Sequence, residues 1–315
     1  PQPIDAWEPG GPELGEPASE LREMVTRPPR VAIAGRLKSG QSTLVNALTQ
    51  HHIAATDSVE CTMAVSMYLD GAPARAEVVG LDGRVDRVSL GQGPLDHLPR
   101  PLDEVDYVRQ FVPNASLQRL SLIDTPGLAT LTVENEQRTR RILIDGYEQT
   151  KAMSVDADAA VFLFDATPRM DEVKFIKDLG FTSLNTLGVL SRADSFGEGA
   201  LGERDPLDHA RQHADTLAAQ LSGSVLTVIP VAGLLAETSH TGVITENDAR
   251  VMASLAEATE FDLIDIIASG GDAVEGGTGG DGAGAGGAGG TQQQEICRRV
   301  VGLIGEYGLF RARNV

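Results

Sequence analysis

The chain has 315 residues, 41% of them hydrophobic, which is ample for a sizeable core. Its formal net charge of −19 argues against nucleic acid as a direct partner and disfavours broad contact with anionic lipid, because affinity for phosphate comes mainly from Lys and Arg. Two cysteines, Cys61 and Cys297, provide no disulfide framework, no apolar run reaches the ~18 residues of a bilayer span, and no signal peptide is legible, so a cytoplasmic protein is the expectation.

In chain order, residues 1–16 are rich in Pro, Gly and Glu and read as a disordered arm. Ala18 to Arg27 reads as a short helix that Pro28-Pro29 stops. Val31-Ala32-Ile33-Ala34 then suits a buried parallel strand, and Leu44, Val45, Ala47 and Leu48 recur at helical spacing. Between them lies Gly35-Arg36-Leu37-Lys38-Ser39-Gly40-Gln41-Ser42-Thr43, a phosphate-binding P-loop in every respect but one: glutamine stands where lysine follows the second glycine. Backbone N–H groups of such a loop converge on a pyrophosphate at the positive end of a helix. Ser42 is the candidate Mg²⁺ ligand. The adjacent His51 and His52 read as the polar end of the P-loop helix, since no second ligand cluster accompanies them.

Thr62, in Glu60-Cys61-Thr62-Met63, precedes the alternating segment Ala64 to Leu69 and is the candidate threonine that closes over the metal. Ala74 to Leu90 reads as a hairpin turning at Leu81-Asp82-Gly83, extending the sheet between the two switches. Leu120-Ser121-Leu122-Ile123-Asp124-Thr125-Pro126-Gly127 is a buried strand that ends in an acidic residue. There Asp124 would order the Mg²⁺ hydration shell, and the Gly127 N–H would meet the γ-phosphate. Arg138, Arg140 and Arg141 follow; interleaved with Glu134 and Glu136, they read first as a solvated helical face, and only after that as the best local source of a charge-neutralising finger.

Ala159 to Asp165 is a third strand, followed by a helix-like stretch near Glu172 to Leu179. Thr186 to Leu190 runs into Ser191-Arg192-Ala193-Asp194, where the aspartate would accept from guanine N1 and N2 and the Arg192 guanidinium would cover the ring. Val225 to Pro230 leads to Val231-Ala232-Gly233, small residues whose N–H groups would approach guanine O6. Singly, Asp194 reads as a helix cap and Gly233 as a loop glycine. The order of the set, each member at the end of an expected strand, points instead to a guanine-nucleotide switch. The alternation of strands and helices from Arg30 to Ser269 predicts an α/β fold, a mostly parallel sheet with helices on both faces.

Residues 270–290 hold 12 glycines, which reads as a tether with an r.m.s. reach on the order of 25 Å. After it, Ile296, Val300, Leu303, Ile304 and Phe310 mark a partly amphipathic helix.

The ordered motifs look like a translation-factor-class GTPase domain, and the long segment between P-loop and Asp124 resembles the dynamin superfamily. More narrowly, Ala34 to Gly40, Glu60-Cys61-Thr62, Ile123 to Gly127, Leu190 to Asp194 and Ile229 to Gly233 resemble the bacterial dynamin-like GTPase family, in particular actinobacterial proteins related to the isoniazid-inducible protein IniC. The resemblance covers roughly residues 29 to 265 and resumes near Gln293. It implies GTP and GDP with Mg²⁺ as ligands. It places nucleotide contacts on Gly35, Lys38, Ser39, Gly40, Gln41, Ser42, Thr43, Arg192, Asp194, Ala232 and Gly233, catalytic roles on Lys38, Thr62 and Gly127, and metal ligation on Ser42, Thr62 and Asp124.

The domain division that follows is an arm and short neck helix over 1–29, a dynamin-type GTPase domain over 30–269, a flexible linker over 270–290 and a C-terminal neck helix over 291–315, with the family's stalk absent. The resemblance also implies a nucleotide-dependent homodimer and membrane remodelling through that stalk, at the inner face of the plasma membrane. Gln41 departs from the pattern. Losing a charged hydrogen bond to phosphate costs roughly 1.5–3 kcal/mol, and hydrolysis, where charge develops on the transferring group, is more exposed to that loss than binding. Lys38 is the candidate to compensate. The dynamin pattern of Gln and Ser within the loop is also missing, since Leu37 and Lys38 stand there and leucine cannot orient an attacking water. A hydrolysis-poor nucleotide-binding scaffold is therefore the first alternative, and a ribosome-assembly-type GTPase the last.

Overall fold

The computed structural model describes residues 25–36, 39–54, 64–91, 93–125, 157–165, 177–200, 203–257 and 288–313, together with residues 22, 167–168, 173–174, 259 and 264. The arm over 1–16, most of the Gly-rich stretch, Leu37, Lys38, Thr62, Gly127, the helix-like stretch near Glu172 in large part, and the arginines at 138, 140 and 141 lie outside them.

Among the described residues, nine strands form one sheet: β1 (Arg30–Gly35), β2 (Ser66–Asp70), β3 (Arg75–Gly80), β4 (Val85–Ser89), β5 (Val105–Val112), β6 (Ser121–Asp124), β7 (Ala159–Phe164), β8 (Thr186–Leu190) and β9 (Val228–Pro230). Their order is β4-β3-β5-β2-β6-β1-β7-β8-β9. The half from β6 to β9 is wholly parallel, whereas β2 runs antiparallel to β6, and β3 runs antiparallel to both β4 and β5. The sequence-predicted hairpin is thus β3–β4, and it extends the sheet at its outer edge. The last strand is shorter than Val225 to Pro230, because Leu226 and Thr227 bond to β8 outside the regular ladder.

Helices cover both faces, as the apolar strands require. On β1, Ala32 and Ala34 point to one side with Phe162, Phe164 and Leu190, and helix α2 (Pro206–Gln220) packs there through Ala210, Ala214 and Leu217. Ile33 points to the other side with Tyr68, Leu122 and Leu163, against Leu44 and Val45 of helix α1 (Gln41–Thr49). Asp158, just before β7, receives both Nη atoms of Arg27 at 2.7 and 3.0 Å and the Arg30 N–H at 2.7 Å, so the entry to β1 and the entry to β7 are clamped together. Arg22, Val25 and Thr26 are helical, as expected of the segment ahead of Pro28.

Helix α3 (Gly233–Thr241) and helix α4 (Glu246–Ala256) carry the C-terminal helix α5 (Ala288–Arg313), which begins inside the stretch expected as linker. Val300, Ile304 and Leu309 of α5 are buried with Val251 and Leu255 of α4. The helix breaks at Gly305 (φ 66°, ψ 179°), a left-handed φ that suits glycine. Arg299 pairs with Asp248, the Thr238 hydroxyl donates to the Leu303 carbonyl, and Tyr307 and Arg311 both reach Asp205, the N-cap of α2.

Asp205 thus caps one helix and anchors another. Asp205→Ala is expected to lower stability by about 1–2 kcal/mol, and Asp205→Asn, which keeps an acceptor for the cap, by less. A shift of the urea midpoint at unchanged m value checks this.

Candidate functional site

The site begins where β1 ends. A Cβ on Gly35 would stand 2.7 Å from both the Leu163 carbonyl oxygen and Ser39 Oγ, so only glycine lets the loop pass this close to β7. The chain then turns, with Ser39 N–H donating to Arg36 O at 3.0 Å. Gly40 (φ 91°, ψ 23°) is the N-cap of α1 in left-handed geometry, and it supplies no side-chain cap. The first N–H groups of α1 therefore end without a side-chain acceptor, at the positive end of the helix dipole. Ser39 Oγ is buried and, among the described residues, without a hydrogen-bond partner. An orphaned hydroxyl beside uncapped helix donors fits a phosphate group. Ser42 and Thr43 follow, half-buried, in the first turn.

Gln41 does not point its charge deficit at open space. Its side chain is 8% exposed, and Nε2 donates to Thr125 O at 3.1 Å and to Ile33 O at 3.3 Å. The Thr125 N–H and hydroxyl also donate to Ile33 O, at 3.2 and 2.9 Å. The amide that replaces the lysine is thereby tied into the ends of β1 and β6. Asp124 closes β6 opposite Ile33 in the ladder. Burial pushes its carboxyl from the ordinary 3.8 up to about 7. The oxygen donors of Ser42 and Asp124 suit Mg²⁺, a hard cation that keeps several waters. Among the described residues no three His, Cys, Asp or Glu side chains cluster as a metal site.

The candidate base-contacting end is built from β8 and β9. Ser191 is buried, with its N–H and hydroxyl both donating to Phe164 O at 2.8 and 3.3 Å. Arg192 is exposed in the left-handed region (φ 55°, ψ 37°), and Ala193 N–H donates to Val231 O at 3.2 Å. These bonds hold Asp194, half-buried in a short 3₁₀ turn, beside the β9 exit. Ala232 is the N-cap of α3 and Gly233 its first residue; a Cβ on Gly233 would touch Thr43 Cγ2 at 3.5 Å. The structure thus brings Gly233 against the P-loop helix. A Cβ on Gly305 of α5 would lie 4.0 Å from Asp194 Oδ2, so the break in α5 borders the same loop.

Sequence reasoning missed Asn46 and Glu237. Asn46 is fully buried. Its Oδ1 accepts from the N–H groups of Ile53 and Ala54 at 3.0 and 2.8 Å, and its Nδ2 donates to Glu237 Oε1 at 2.8 Å. His52 Nδ1 lies 3.1 Å from the same carboxylate oxygen. Asn46 therefore fixes the chain leaving α1 toward Thr62 and ties α1 to α3. The available signal was a polar residue set between Val45 and Ala47 in the apolar run Leu44 to Leu48. His51 and His52 sit just past the helix end, and His51 Nδ1 is 3.1 Å from Asn114 Nδ2.

Residues 30–189 match the model of the family described as 50S ribosome-binding GTPase. The chain is 33% identical over 251 residues to isoniazid-induced protein IniC of Mycobacterium tuberculosis, in strains CDC 1551 / Oshkosh and ATCC 25618 / H37Rv, covering 76% of this chain and 49% of those proteins. It therefore spans about half the length of the curated relatives it matches. Among solved structures it aligns with a chain of an oligomerised bacterial dynamin pair, described as sensing and tethering membranes over long range, at 14% identity and TM-score 0.43, covering 85% of this chain and 44% of that one. A GTP-binding protein from Sulfolobus solfataricus in complex with GDP aligns at 15% identity and TM-score 0.33, covering 70% and 51%.

The buried Asp124 carboxyl predicts a pH slope. With a folded pKa near 7 against an ordinary 3.8, the folded chain holds the proton more tightly than the unfolded one. The contribution of this group to stability is full at acid pH and is lost as pH rises toward and through 7. Asp124→Asn is expected to flatten that slope, matching the parent in acid and exceeding it at pH above the folded value. Urea melts of both proteins across the range check the sign.

Proposed function

The chain belongs to the family described as 50S ribosome-binding GTPases, and from that premise we propose that it is a dynamin-like GTPase whose hydrolysis is weakened by Gln41. The observation that carries the reading is the uncapped turn at Gly40 with the orphaned Ser39 hydroxyl beside it, on a helix that Gly233 closely approaches at Thr43. In this reading the loop N–H groups hold the β-phosphate, Asp194 accepts from guanine N1–H and N2–H₂, and Arg192 lies over the ring. Ser42, and Asp124 through water, hold Mg²⁺, which supplies positive charge to the outer phosphates. Thr62 and Gly127 are the proposed γ-phosphate sensors, and Lys38 the proposed compensating cation.

From the resemblance of its motifs to bacterial dynamin-like GTPases we also propose a role for the whole protein in membrane remodelling, with nucleotide-dependent pairing of two heads, at the inner face of the plasma membrane. That assignment is a proposal for the longer relatives' architecture as much as for this chain. A second reading, a nucleotide-binding scaffold with little turnover, is favoured by the Gln41 amide, whose bonds to Ile33 O and Thr125 O leave it no reach toward phosphate.

Guanine selectivity is tested by displacement of a fluorescent guanine nucleotide with GDP and with ADP. GDP is expected to displace it at lower concentration, and Asp194→Asn to erase most of the difference; equal displacement by both nucleotides in the parent chain rejects the base assignment.

Turnover is tested by phosphate release. Gln41→Lys is expected to raise the rate by at least about tenfold, the low end of what a restored charged hydrogen bond to the transferring group contributes. Parent and variant releasing phosphate at one rate would remove Gln41 as the cause of slow hydrolysis.

A further inference from the structure

Away from the nucleotide loops, the outer strands carry a row of arginines. Glu77 of β3 lies opposite Arg87 of β4 and Arg109 of β5 in the ladder, so all three project from one face of the sheet, and Arg75 joins them two residues along β3. The opposite face buries Ala76, Val78, Val105 and Val108. Glu77 is nearly buried, and three guanidinium groups converge on it: Arg109 at 3.0 Å and Arg75 and Arg87 at 3.4 Å each. Arg75 also lies over the Phe111 ring, 3.9 Å from its centroid.

One carboxylate needs one cation. Here it has three, which among the described residues leaves two positive charges without an ion-pair partner of their own, in a chain whose net charge is −19. The guanidinium groups are not loose, since Glu77 and Phe111 hold them in place, and they are reachable, with Arg87 76% exposed. Arg87 meets Glu77 through Nε at 3.4 Å, and among the described residues Arg109 Nε has no acceptor. Planar forks of this kind suit bidentate binding of a phosphate.

We propose that the Arg75–Arg87–Arg109 face binds a small phosphorylated anion of the phosphomonoester class, at a site separate from the P-loop. A dianion matches the unmatched charge. A long polyanion does not, because only a few phosphates would be neutralised before the strand met the acidic remainder of the surface. A lipid headgroup and a soluble phosphomonoester share the chemistry, and the test separates them.

The full chain, with excess GDP occupying the P-loop, is titrated calorimetrically with inositol monophosphate at low ionic strength. In parallel it is sedimented with phosphatidylcholine vesicles that do or do not carry a phosphatidylinositol phosphate. The expected result is saturable binding that weakens about fivefold in Arg87→Ala, whose thermal melt stays unchanged, and tightens by a similar factor in Glu77→Gln, which removes the competing carboxylate. A purely structural ion cluster would show neither effect. Binding to the soluble probe assigns a soluble phosphomonoester, and sedimentation with the headgroup-bearing vesicles alone assigns a lipid. Absence of both, equal binding by parent and Arg87→Ala, or retention of a single-stranded RNA in place of the phosphomonoester overturns the proposal.

Discussion

One carbonyl oxygen holds the nucleotide end of the molecule together. Ile33 O accepts from the Thr125 N–H, the Thr125 hydroxyl and Gln41 Nε2, and Gln41 carries the tie on to Thr125 O. A carbonyl has two lone pairs, so three donors share it, and each bond is worth on the order of 1 kcal/mol. The value of the arrangement is geometric more than energetic. It joins the last turn of β1, the exit of β6 and the first turn of α1 into one body, so that the loop from Gly35 to Gly40 is strung between fixed ends. The glutamine is thus a structural member of the site and not simply a missing charge.

Much of this architecture was legible in the sequence, and the reason is physical. Strands buried on both faces must be apolar throughout, so Val31 to Ala34, Leu122-Ile123, Ala160 to Phe164 and Val189-Leu190 declared themselves, and the polar residues at their ends marked where the sheet opens onto a ligand. Gly35 and Gly40 were readable because each has a backbone reason to be glycine, close approach in one case and a left-handed turn in the other. Gln41 was readable as a departure, but its bonds to two carbonyls were not, since nothing local in the sequence says that Thr125 lies beside it. Asn46 and Glu237, far apart in sequence, meet only through packing of α1 on α3. The start of α5 at Ala288 was misplaced because glycine-rich composition argued for a linker where the backbone is helical.

The same contacts form a continuous chain of solid matter from the phosphate end to the C-terminal helix. α1 holds α3 through Asn46 and Glu237, and α3 holds α5 through Thr238 and the Leu303 carbonyl. The break at Gly305 then returns α5 to the loop that carries Asp194. Packed elements of this kind shift as units, so a displacement at either end has a material route to the other.

The clamp on Asp158 decides how the molecule meets a mechanical load. Arg27 ties the chain ahead of β1 to the start of β7, and β1 lies inside the sheet between β6 and β7 with parallel partners on both sides. A pull on the N-terminal arm would first stretch a two-pronged ion pair and then strain both ladders of β1 lengthwise, all rungs together. An edge strand such as β4 would instead peel from one end, rung by rung. The chain ahead of β1 is therefore attached at an interior strand of the sheet, which makes it a tow point and not a tear strip.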